Sequence, residues 1–229
     1  MSIKSNIEYI QELKAKAAEQ SGRRAEDVLL VAVTKLHTPE EMNEAIDAGI
    51  TDIGENKVQE ILDKYDKVKP VRWHLIGHLQ TNKVKYIIPY IYIIESVDSL
   101  KLLREIEKCA AIYDRKVNVL LEIHVAREST KTGLSISQCR ELLADGEWKE
   151  MPHVCICGIM TMATNTEDID ILKEDFRTAY DFYKEVKQEF FYDNDDFSIR
   201  SWGMTHDYLV ACDNGSNQVR IGTAIFGDR

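Results

Sequence analysis

The chain has 229 residues, of which 44% are hydrophobic and 30% charged, with 4 prolines. That composition excludes a disordered or fibrous protein, and a chain this long buries a core without disulfide or metal staples. Its 29 Lys+Arg stand against 39 Asp+Glu, a formal net charge of −10, which argues against nucleic acid or an anionic membrane as a partner.

From Met1 to Gln20, Ile7, Ile10, Leu13 and Ala17 recur among Lys and Glu, the spacing of an amphipathic helix and not of a secretory leader. Val28–Thr34 is apolar on consecutive residues and leads straight into Lys35, as a strand buried on both faces does. Thr38-Pro39-Glu40-Glu41 is a capping box with proline at the first helical position, and Gly49 ends that helix. Strand-like runs come next at Thr51–Gly54 and Arg72–Gly77; the basic stretch Lys64 to Lys85 around the latter is diluted by acidic and apolar residues and reads as a solvated face. After the run Ile91–Ser96, Asp98 is placed to cap a helix carrying Leu102, Leu103 and Ile106. Val117–Val125 precedes a second candidate box, Ser135 to Gln138. Val154–Met160 sets Cys155 and Cys157 on one strand face. Asp193–Asp196 reads as an exposed loop, before the runs Phe197–Trp202 and Gln218–Ile221.

Eight such runs, with room for a helix after each, predict a single (β/α)8 TIM barrel over residues 1–229 with an extra N-terminal helix. A doubly wound open sheet is the alternative, because periodicity alone does not close a barrel. Five cysteines, odd in number and irregularly spaced, offer no second pair for a zinc site; buried reduced thiols in a cytoplasmic protein are expected, and no metal. No apolar run approaches the roughly 20 residues needed to span a bilayer.

In a barrel the chemistry sits at the C-terminal ends of the strands. Lys35 stands there, and a desolvated lysine offers the neutral amine that Schiff-base formation requires; a lysine that merely reaches out to water is the plain alternative. Asn56, after the second run, and His74, on the third, should face the same mouth. His74 and His78 are four apart, but Gly77 between them and a strand end argue against a metal pair. Ser201-Trp202-Gly203-Met204-Thr205 and Arg220 to Gly227 stand at the ends of the last two runs, the position of phosphate sites in barrels; glycines admit a ligand to the backbone, Ser201, Thr205 and Thr223 add hydroxyls, and Arg220 adds a charged donor. Two tight turns that only close the barrel are the plain alternative. An amine at one side and a phosphate cradle at the other suit pyridoxal 5′-phosphate (PLP), which has an aldehyde and a phosphate at opposite ends.

The chain resembles the PLP homeostasis protein family, whose fold is similar to the barrel domain of alanine racemase. The segments that carry the resemblance are Ala32 to Lys35, Gly54-Glu55-Asn56 with Gln59-Glu60, Trp73 to Gly77 with Leu79 to Lys83, and Ser96-Val97-Asp98. Later ones are Lys131-Thr132-Gly133, Gly158-Ile159-Met160, Ser201 to Met204 and Arg220 to Gly227. The resemblance implies PLP on Lys35, with Ser201, Gly203, Gly222 and Thr223 around the phosphate and Arg220 near the phosphate or the pyridine. Asn56, His74, Met160, Met204 and Thr205 complete the candidate cofactor-binding set. Three departures stand out: His78 where the family has proline, His124 where asparagine is common, and Thr205-His206 for a serine-led stretch.

The resemblance implies a carrier that holds PLP and passes it to apo PLP-dependent enzymes, without a catalytic residue and as a monomer. A PLP-dependent amino-acid racemase or lyase is the alternative. Two-base racemisation needs a proton acceptor on each face, and only two residues come after Gly227, so no second domain is expected to bring one. A Schiff-base aldolase acting on a sugar phosphate without PLP is a third reading.

Overall fold

The computed structural model describes residues 2–128 and 130–227; the expectation that no second domain comes after Gly227 concerns residues outside that range. Helix α1 (Ile3–Gln20) starts at Ser2, whose hydroxyl accepts the Ser5 N–H. Ile7, Ile10 and Ala17 are buried as their spacing predicts, joined by Lys14, whose ammonium donates to the carbonyls of Ala25 and Val28. Strand β1 (Leu29–Val33) leads to α2 (Pro39–Asp47). The predicted box opens α2, with the Thr38 hydroxyl accepting from Glu41 and the Glu41 carboxylate accepting from Thr38. Then come β2 (Asp52–Glu55), α3 (Val58–Lys64), β3 (Arg72–Leu75), α4 (Val84–Ile87) and β4 (Ile93–Val97). The next units are α5 (Leu100–Ile112), β5 (Val117–Ile123), α6 (Ile136–Asp145), β6 (Val154–Thr161) and α7 (Ile169–Phe190). The last are β7 (Ile199–Ser201), α8 (Tyr208–Asp213), β8 (Gln218–Ile221) and α9 (Thr223–Phe226).

The eight strands form one closed barrel in sequence order. Closure rests on the parallel ladder between β1 and β8, where Leu29 lies opposite Gln218 and Ala32 opposite Ile221. That ladder removes the open-sheet alternative. Burial explains the apolar runs: every residue of β4 and β8 is buried, as a strand with a packed barrel inside and helices outside must be.

Several local expectations shift. Ser99, and not Asp98, caps α5 by accepting the Leu102 N–H; Asp98 instead lies 3.2 Å from His78. Lys64 is not part of a solvated face but is buried, donating to Glu55 at 2.8 Å and Glu60 at 2.9 Å. Cys155 and Cys157 do share a face, their sulfurs 3.5 Å apart, yet Cys155 is only partly buried. Among the described residues no helix is long and apolar enough to cross a membrane.

Candidate functional site

Two adjoining cavities open at the C-terminal mouth, of about 160 Å³ and 250 Å³. Val33, Lys35, Met204 and Arg220 line both. Asn56, Ile76, His78, Glu122, Thr132 and Met162 surround the first; Thr205, His206, Gly222 and Thr223 surround the second.

The Lys35 turn is held from below and from the side. The Leu36 N–H donates to Glu60 at 2.7 Å, with Leu36 itself at φ 65, a left-handed conformation that a leucine adopts only where its surroundings enforce it. Lys64 ties Glu60 to Glu55 and donates to the Thr34 carbonyl at 3.2 Å. Burial pushes the Glu55 carboxyl up, against the opposing pull of Lys64. The sequence pattern assigns Glu55 and Glu60 no task; a lysine four residues after Glu60 on the same helix is the available sign.

Arg220 is buried on β8 and its guanidinium is fixed. It donates to the Ser201 carbonyl at 2.8 Å, the Ser201 hydroxyl at 2.5 Å and the Thr161 carbonyl at 2.9 Å. The next glycine along, Gly222, faces Val33: an added Cβ would lie 3.2 Å from the Val33 carbonyl oxygen. Gly203 has φ +99, and a Cβ there would stand 2.6 Å from that of Ala211, so only glycine lets this turn close on α8. The Met204 N–H donates to Asp207 at 2.5 Å and completes the turn.

Of the candidate set, Lys35, Asn56, Met204, Thr205, Arg220, Gly222 and Thr223 line the mouth cavities. His74, Met160, Ser201 and Gly203 do not. Met160 packs inside the barrel with Ile93, Leu120 and Cys157. Beyond the end of β6, Met162 lines the mouth, because inward residues of a barrel stack in layers and only the top layer meets the cavity.

His74 and Ser201 belong to a layer beneath the mouth. His74 Nδ1 lies 2.6 Å from Glu95 and Nε2 lies 2.9 Å from Asp52, so both ring nitrogens donate and the imidazole is cationic. Glu95 also accepts from Ser201 at 2.5 Å and from Gln218 at 2.8 Å, across the barrel. Burial works against charge on this histidine, but the hydrogen bonds and charges of Asp52 and Glu95 outweigh it and hold His74 above its ordinary value. Glu95, against its own desolvation, is drawn below the usual carboxylate range by His74 and then by Arg220.

Glu122 is the residue that sequence reasoning passed over. One carboxyl oxygen accepts from Thr132 at 2.6 Å; the other, Oε2, is buried and has no hydrogen-bond partner among the described residues. Burial raises this carboxyl, with Thr132 opposing. Its sign in the sequence was an acid inside the apolar run Val119-Leu120-Leu121-Glu122-Ile123. Of the two departing histidines, His78 lines the mouth with a half-exposed side chain, while His124 donates from Nδ1 to the Lys131 carbonyl at 3.0 Å and lines neither cavity.

Known proteins share this architecture. The family described as alanine racemase, N-terminal domain, matches residues 6–229. The pyridoxal phosphate homeostasis protein of Aquifex aeolicus is 35% identical over 232 residues, spanning 100% of this chain and 99% of that protein. A crystal structure described as an unknown protein from Bifidobacterium adolescentis superposes with TM-score 0.91 at 30% identity, covering 98% of this chain and 94% of that one. PipY of Synechococcus elongatus, solved with PLP bound, superposes with TM-score 0.80 at 27% identity over 94% of this chain and 99% of its own.

Proposed function

This chain belongs to the pyridoxal phosphate homeostasis proteins, within the alanine racemase N-terminal domain family, and from that premise we propose that it holds PLP at the C-terminal mouth of its barrel as a carrier. The observation that supports this most is that Lys35 and Arg220 line both mouth cavities, with Thr205, Gly222 and Thr223 gathered at one side. The residues fit the group: an amine, a fixed cation, hydroxyls and a close glycine backbone match an aldehyde at one end and a phosphate at the other. When bound, PLP supplies a carbonyl carbon open to attack by an amine.

Lys35 is the residue that carries the covalent link, on a turn braced by Glu60. Thr205, Gly222 and Thr223 surround the phosphate. Arg220 turns its charge to the phosphate or the ring, its orientation fixed by Ser201 and Thr161. Asn56 and Met204 flank the ring. Ser201 and Gly203, expected at the phosphate, act one step away: Ser201 by fixing Arg220, Gly203 by shaping the turn that presents Met204 and Thr205. His74 and Met160 act from below, as the floor.

A carrier suits these groups better than a racemase. Burial keeps Glu122 inclined to stay protonated, which makes it a poor second base, and the half-exposed His78 is paired with Asp98. The named relative is called for homeostasis and not for a reaction. Residues 1–229 then act as one domain, a cytoplasmic monomer that hands PLP to apo PLP-dependent enzymes.

The test is a visible spectrum of the purified protein with added PLP, before and after borohydride, with peptide mapping. Reduction is expected to trap PLP on Lys35, and Lys35→Ala to lose that trap while keeping weak reversible binding. A protein that stays colourless would refute the reading and favour the sugar-phosphate aldolase.

A further inference from the structure

At the opposite, N-terminal end of the barrel a cleft of about 430 Å³ is lined by Tyr92, Lys116, Asn118, Cys155, Cys157 and Asp196. Cys155 and Cys157 alternate along β6 with their sulfurs 3.5 Å apart; the Cys157 S–H has the Cys155 sulfur, the Cys155 carbonyl at 3.4 Å and Asn118 Oδ1 at 3.5 Å in reach, and the Cys155 S–H has Asp196 at 3.9 Å. The strand is irregular there. Asn118 pairs with Cys155 and Val119 with Ile156, but Leu120 pairs with Gly158, which leaves Cys157 without a ladder partner. Such a bulge bends the strand and re-aims a side chain. In a straight strand the two Cα atoms would stand about 6.4–6.8 Å apart, the upper edge of the usual disulfide range of roughly 4.4–6.8 Å; bending brings them closer. Gly158 belongs to the same device, since a Cβ there would fall 1.9 Å from the Ile199 carbonyl oxygen. The presence of this glycine in the sequence thus has a packing cause, far from the mouth.

We propose that Cys155 and Cys157 form a reactive dithiol that is oxidised by hydroperoxides to an intrastrand disulfide. Cys155 is the attacking thiolate, because it is the more exposed sulfur and its thiolate stands within hydrogen-bond reach of the Cys157 S–H. That hydrogen bond lowers the Cys155 thiol to about 7, with burial and Asp196 opposing and Lys116 assisting, while Cys157 is pushed up. Thiolate character, access and a neighbouring resolving thiol are together what oxidation-sensitive cysteines require. The Cys155 thiolate attacks one peroxide oxygen, the O–O bond breaks, and the departing alkoxide or hydroxide takes up a proton. The Cys157 sulfur then attacks the sulfenic sulfur, the S–S bond forms, and hydroxide leaves with the Cys157 proton as water. Overall the two thiols give two electrons and two protons to the hydroperoxide, yielding one alcohol (water, from hydrogen peroxide) in the first half and one water in the second. A dithiol reductant restores the pair by thiol–disulfide exchange. The site lies at the other end of the barrel from Lys35, and its test is independent of any cofactor.

The reduced full chain is treated with hydrogen peroxide and its thiols are tracked by alkylation and peptide mass mapping, with the buried Cys109, Cys139 and Cys212 as internal references. Cys155 and Cys157 are expected to disappear together, roughly tenfold or more faster than the references, into one peptide carrying a dithiothreitol-reversible internal disulfide. In Cys157→Ser, dimedone is expected to trap a sulfenic acid on Cys155; in Cys155→Ser, oxidation at Cys157 should slow to the reference rate. Equal rates for all five cysteines, a disulfide formed only between chains, or no dimedone adduct in Cys157→Ser would each overturn the proposal.

Discussion

The mouth of the barrel and the charged layer beneath it are built on the same strands, yet they treat polar groups in opposite ways. In the layer, Asp52, His74, Glu95, Ser201, Gln218 and Arg220 satisfy one another with short hydrogen bonds, two carboxylates against two cations. At the mouth, Glu122 Oε2 has no partner among the described residues, Leu36 sits in a left-handed conformation, and cavities remain. A buried ion network that is fully paired gives rigidity more than net stability. The difference teaches that the layer is a rigid floor, whereas the groups above it are left under-satisfied, as the proposed PLP site requires.

Breaking the floor should have the largest effect. Glu95→Gln leaves His74 and Arg220 without their shared carboxylate and should cost about 3–5 kcal/mol, the usual penalty for orphaning a buried charge, read as a lower midpoint in urea denaturation. A loss below about 1 kcal/mol would mean that water already reaches the layer. Gly203→Ala lies at the junction of the two regions. Its Cβ would meet Ala211 at 2.6 Å at a positive φ, so about 1–3 kcal/mol is expected together with weaker PLP uptake by absorbance titration.

The pH dependence sharpens the comparison further. His74 is raised in the folded state, so its contribution is fully present below the unfolded value near 6.5 and is lost as pH rises through the folded value. Asp52 and Glu95 are lowered, so theirs is present above about 4 and is lost on acidification. Glu122 is raised, and its deprotonation costs stability as pH climbs. Urea midpoints should therefore fall on both sides of a maximum, and His74→Asn should flatten the alkaline arm; an unchanged alkaline arm would place its origin in the buried carboxyls that are raised, Glu55, Glu122 and Asp207. The smallest effect on stability is expected from Lys35→Ala, within about 0.5 kcal/mol by thermal melt, because Lys35 lines the open mouth cavities.

Much of this was legible in the sequence. Consecutive apolar runs such as Leu29–Val33 announce strands buried on both faces, and the Thr38 and Ser135 boxes announce helix starts through local hydrogen bonds alone. The place of Lys35 at the mouth was legible because it follows directly on an apolar strand. Asp98 misled because Ser99 offers an equally short capping oxygen one residue later, and local chemistry does not rank the two.

Composition and periodicity determined by themselves the alternation of strands and helices, since this stems from local propensity and burial, and placed Lys35 and the late glycine turns at strand ends; closure of the barrel came from the β1–β8 ladder. Tertiary structure alone decided depth. Whether His74, Met160 and Ser201 meet a ligand or form its floor depends on barrel stagger, which stacks inward residues in layers that periodicity does not number. It also decided that Glu122 faces the mouth, that Lys64 braces the Lys35 turn, and that a bulge turns Cys157 onto Cys155. Each of these joins residues whose encounter depends on how strands and helices register in space.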